Sequence, residues 1–70
     1  MIELGIRDGF IKLGQALKAA HMVDNGAEAK AVIQNGEVTV NGESDDRRGR
    51  KLTEGDVVTF RGQQIRIVKN

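Results

Sequence analysis

Seventy residues with no cysteine, one histidine and a net charge of +1 offer neither a disulfide nor a metal centre to hold a small domain together. The core has to come from Ile, Leu, Val, Ala and two phenylalanines, and the length allows one domain, residues 1–70. No apolar run approaches the ~20 residues of a membrane span, and the opening residues lack a basic-then-apolar leader pattern, so a cytoplasmic, reducing setting is expected.

In chain order, "MIELGI" alternates and reads as an edge strand with Ile2, Leu4 and Ile6 on one side, broken by Gly9. From Phe10 to His21 the period becomes helical. Ala16, Leu17 and Ala20 fall within about 60° of Leu13, whereas Lys12, Gln15, Lys18 and Ala19 fall opposite. The pair Asn-Gly then occurs three times between Asn25 and Gly42, each time followed by a different pattern. "NGAE" is a capping box, in which Asn25 accepts from the backbone three residues on and Glu28 reaches back. Ala29, Val32 and Ile33 form the buried stripe of a second helix. Asn35-Gly36 closes that helix with glycine in the left-handed conformation. "EVTV" alternates as a strand, and Asn41-Gly42 is a hairpin turn. Beyond it, Leu52 is an apolar anchor, Glu54-Gly55-Asp56 a turn and Val57 to Phe60 a strand. Arg61-Gly62 turns into "QIRIV", with Ile65 and Ile67 on one side. These elements predict an α+β domain, two short helices packed on a small twisted antiparallel sheet, with Phe10 and Phe60 in the core.

Catalysis finds few candidates. No Ser-His-Asp or Cys-His set exists, and His21 sits where a cation complements the end of a helix. Asp45-Asp46, beside Arg47 and Arg48, reads as a solvated, mutually screened loop rather than a metal site. The glycines match neither a P-loop nor a dinucleotide fingerprint. So short a chain leaves little room for the ~300–1,000 Å³ that small ligands occupy. The expectation is therefore no enzyme, no cofactor and no small-molecule substrate.

Nucleic acid has the better physical case. Residues 1–40 carry four basic and five acidic side chains, whereas 41–70 carry seven and five, with four of the seven together in "RRGRK". On the second helix, Ala27, Lys30, Ala31 and Gln34 turn away from the stripe and present a small, flat face. Arg47, Arg48, Arg50 and Lys51 in the loop, Lys12, Gln15 and Lys18 on the first helix and Lys30 on the second are the candidate contacts. The cations would bind phosphate and Gln15 a ribose or base edge. With Tyr and Trp absent, the reading is backbone and shape recognition of folded RNA rather than base stacking. The competing class is a protein-interaction module, favoured by the near-zero net charge and opposed by "RRGRK".

The order of motifs adds a resemblance. Lys12-Leu13, Leu17, Ala29-Lys30, "GEVTVNG" from Gly36 to Gly42, "RRGRK" and Gly55-Asp56-Val57 follow one another as in the RNA-binding domain named after bacterial small-subunit ribosomal protein four. The family-like core spans about 11–58, and "IKLGQALK", "NGAEAK" and "RRGRKL" are similar to its small stand-alone bacterial members. The resemblance implies an αL-type module that recognises structured RNA, ribosomal or transfer; in the competing reading the same surface meets a ribosomal or other protein partner. Two positions depart from the broad pattern. Asn25-Gly26 stands where Ser-Arg is usual, so Gly26 inherits no side-chain contact, and Gly14 stands where an acid often follows the basic-Leu pair.

Overall fold

The chain is seen in a computed structural model that describes residues 1–7 and 9–70. Its elements run β1 (Ile2–Ile6), β2 (Ile11–Lys12), α1 (Leu13–Ala19), α2 (Gly26–Gln34), β3 (Val38–Val40), β4 (Glu43–Ser44), β5 (Lys51–Leu52), β6 (Val57–Phe60) and β7 (Gln63–Lys69). A five-stranded sheet is ordered β1-β7-β6-β3-β4, and β2 and β5 form a separate two-stranded ladder. The expected α+β class and two short helices are present, but the sheet is mixed. Its edge strand β1 runs parallel to β7, with Ile2 opposite Ile65 and Leu4 opposite Ile67, while the other pairs are antiparallel. The segment between β1 and β7 contains both helices, long enough for the crossover a parallel pair requires.

The turns follow from residue chemistry. Asn41 and Gly42 both have positive φ, 53° and 87°, and so do Arg61 and Gly62, 50° and 79°. That is the type I′ geometry whose twist matches paired strands. Alternation then puts Val38, Val40, Val58, Phe60, Ile65 and Ile67 on the inner face, all buried.

Each helix ends in a left-handed residue. Gly36 closes α2: its N–H donates to the Ile33 carbonyl and that of Glu37 to the Val32 carbonyl, both at 3.1 Å. Residue His21, at φ 60°, closes α1 in the same way, with its N–H donating to Lys18 and that of Met22 to Leu17, both at 3.0 Å. Leu13, Ala16 and Leu17 on α1 and Ala29, Val32 and Ile33 on α2 are buried as expected, whereas Ala20 caps α1 and is only partly buried. At the start of α2, Asn25 Oδ1 accepts from the Glu28 N–H at 2.8 Å as expected. The Glu28 carboxylate, however, accepts from Asp24 rather than Asn25, at 2.7 Å.

Helix α1 is shorter than the pattern from Phe10 to His21 predicts. Ile11 and Lys12 are extended and pair with Leu52 and Lys51, and the helix starts only at Leu13. One consequence overturns an expectation. Phe10, just ahead of β2 rather than inside a helix, is 43% exposed, whereas Phe60 is buried.

Candidate nucleic-acid interface

The loop from Asp45 to Arg50 docks on the start of α1 through its backbone. The Leu13 N–H donates to the Arg50 carbonyl at 2.8 Å and the Gly14 N–H to the Arg48 carbonyl at 3.1 Å. These carbonyls satisfy two of the donors that the first helical turn leaves open. Gln15 Oε1 accepts from the Lys12 N–H at 3.2 Å, so its oxygen serves the cap and its amide NH2 remains for a ligand.

Gly14 explains how closely the loop approaches. It is buried, and a Cβ there would stand 2.8 Å from Arg48 Cγ. The Arg48 stem lies directly on the helix backbone, across the position where the broad family pattern has an acid. That contact was invisible in the sequence, where Gly14 registered only as a missing carboxylate.

Asp45 is the main correction. It is 7% exposed rather than solvated. Its carboxylate accepts from Arg47 Nε at 3.1 Å, Arg47 Nη2 at 2.9 Å and Arg50 Nη1 at 2.8 Å, as well as from the Arg47 N–H at 2.9 Å. The Arg47 side chain, with help from Arg50, holds the carboxyl well below the usual carboxylate range against the opposing effect of burial. Reciprocally, Asp45 raises the Arg47 pKa. Two of the four cations in "RRGRK" are thus engaged within the loop. The physical reason is spacing: Asp45 lies two and five residues from them, and the loop curls around its carboxylate.

What remains converges. Lys12, Gly14, Gln15, Lys18, Gly26, Ala29, Arg48 and Gly49 line an open cleft of about 300 Å³ between α1, the start of α2 and the docked loop. Its size is only at the lower edge of small-ligand sites. Arg47, Gly49, Arg50 and Lys51 line a shallow concavity on the other side of the loop. Among the described residues, ion pairs hold Arg47, Arg50 and Arg61, and none holds Lys12, Lys18, Arg48 or Lys51. Lys30 is exposed one helical turn beyond Gly26, beside the cleft but outside its lining. The structure therefore brings Lys12, Gln15, Lys18 and Arg48 together, sets Lys51 across the ladder from Lys12, and leaves Lys30 at the margin.

Comparison with known proteins places the chain in a family. The S4 domain family model matches residues 4–68, and the chain belongs to that family. It is 48% identical over 59 residues to a Bacillus subtilis (strain 168) protein named as a probable ribosome maturation protein, RlbA, covering 84% of this chain and 83% of that one. Over 58 residues it is 33% identical to Escherichia coli (strain K12) YbcJ, covering 83% of each chain. The solution structure of YbcJ superposes with a TM-score of 0.66 at 31% identity, over 96% of this chain and 84% of that one, and is described as revealing an αL motif involved in RNA binding. The 30S ribosomal protein S4e of Thermoplasma acidophilum gives a TM-score of 0.69 at 25% identity; the match covers 91% of this chain and 34% of that longer one.

Proposed function

We propose that this protein binds structured RNA without acting on it chemically, through the cleft and loop formed by Lys12, Gln15, Lys18, Arg48 and Lys51. Lys30 extends the face, while Arg47 and Arg50 shape the loop more than they contact the ligand. The observation that carries this reading is the convergence on one open cleft of Lys12 from β2, Lys18 from α1 and Arg48 from the docked loop, none of them in an ion pair among the described residues. Phosphate contacts of this kind position an RNA by its backbone and shape. The name of the Bacillus relative supports ribosomal RNA as the first ligand to test, ahead of transfer RNA, and with it a cytoplasmic role.

The test is binding of a ribosomal RNA hairpin by the wild type and two single variants. Arg48→Ala should weaken binding about tenfold, within the ~1.5–3 kcal/mol of a charge-assisted bond. Arg47→Ala should weaken it less and lower the melting temperature more, because Asp45 loses a partner. If about four phosphates are neutralised, affinity should fall on the order of 10²-fold between 50 and 200 mM salt, taking the duplex-DNA slope as a guide. Salt-independent binding, or none, would exclude RNA recognition by this face and leave a protein partner as the reading.

A further inference from the structure

The chain has two aromatic side chains, and it exposes one of them. Phe10 retains 43% of its surface although Lys51 Nζ lies 5.0 Å above its ring centroid. A single exposed aromatic is unremarkable by itself; its neighbours are not. Lys12 and Lys51 stand directly opposite each other on the antiparallel β2-β5 ladder. Like charges in that relation repel, and an anion placed between them would relieve the repulsion. Phe10 immediately precedes β2, and its ring contact with Lys51 brings it beside this pair. Lys12 also lines the cleft that holds Arg48, so the ring flanks the proposed phosphate-binding face.

We infer that Phe10, Lys12 and Lys51 form a nucleotide platform, on which an unpaired base of the RNA stacks against Phe10 while its phosphate lies between the two lysines. The inference rests on the RNA-binding reading and narrows it to RNA in which an unpaired nucleotide adjoins a folded stem. Stacking uses the π face common to every base, so the platform selects for an available base rather than for its identity. The lysine on the ring adds attraction for an electron-rich partner and a cation for the attached phosphate.

The test compares a fully paired, blunt RNA duplex with the same duplex carrying one unpaired 2-aminopurine nucleotide. Wild-type protein should prefer the bulged RNA roughly 5- to 100-fold and quench the 2-aminopurine fluorescence on binding. Phe10→Leu should abolish the preference and the quenching while leaving duplex affinity and melting temperature unchanged. Phe10→Trp should retain both. Equal wild-type affinity for the two RNAs would overturn the platform, as would a preference that survives Phe10→Leu; either would leave the ring as a protein contact. A wild type that binds neither RNA would overturn the platform together with RNA binding by this face, an outcome distinct from binding both equally.

Discussion

Gly14 and Asp45 do at the scale of single residues what the cations alone do not. Gly14 lets the Arg48 stem rest on α1, where a Cβ would come within 2.8 Å of Arg48 Cγ. Gly14→Ala gains about 1 kcal/mol of helix propensity and spends a similar amount displacing Arg48. Its melting temperature should therefore stay within a few degrees of wild type while RNA affinity falls. An unchanged affinity would show that Arg48 need not lie on the helix. Asp45 organises the loop through Arg47 and Arg50, and removal of its charge should cost about 2 kcal/mol. Because its folded pKa is depressed, the stability it contributes is fully present above the ordinary value of 3.8 and is lost as pH falls below it. Thermal unfolding followed from pH 6 down to pH 2 should thus show a steeper loss for the wild type than for Asp45→Asn. Parallel curves would sink this role. Asp56 contributes in the same direction: burial disfavours its charge, but hydrogen bonds from the Thr53 N–H and the Asn41 amide outweigh that effect.

The elements owe their boundaries to local chemistry that the sequence shows only in part. The left-handed closure of α2 falls on Gly36, whereas that of α1 falls on His21, where an L side chain costs roughly 1–2 kcal/mol. His21→Gly should stabilise the domain by about 0.5–1 kcal/mol, after allowing for the greater freedom of glycine in the unfolded chain. Urea denaturation measures this directly; a loss of stability would mean that the imidazole makes a contact worth more than the strain. The start of α1 is the opposite case. The helical period of residues 10–12 is real, yet Ile11 and Lys12 are drawn into a ladder by a partner strand that lies some forty positions away. Periodicity has no access to such a competitor, so Phe10 looks internal in the sequence and is external in the fold.

At the scale of the whole molecule, β7 carries much of the stability as an interior strand of the sheet. It pairs with β1 on one side and β6 on the other, and Ile65 and Ile67 are fully buried in the core. A domain of seventy residues has roughly 4–10 kcal/mol to lose in total. Ile67→Ala should remove about 2–5 kcal/mol of it and lower the melting temperature by at least ~10 °C. A drop of only a degree or two would contradict the burial of this side chain. The described residues contain no helix long and apolar enough to cross a membrane.

The sequence by itself determined the second helix with both its ends, the turns at Asn41-Gly42 and Arg61-Gly62, and the inward-facing Val38, Val40, Phe60, Ile65 and Ile67. All of these depend on neighbours within a few positions, where periodicity and turn chemistry act. Only the tertiary structure decided that β1 joins β7 in parallel, that β2 meets β5 and turns Phe10 outward, and that Asp45 engages Arg47 and Arg50 while Arg48 settles on Gly14. Each of those outcomes depends on which distant segments meet, or on how a loop folds around one carboxylate, and a linear pattern of charge and hydropathy carries no distances.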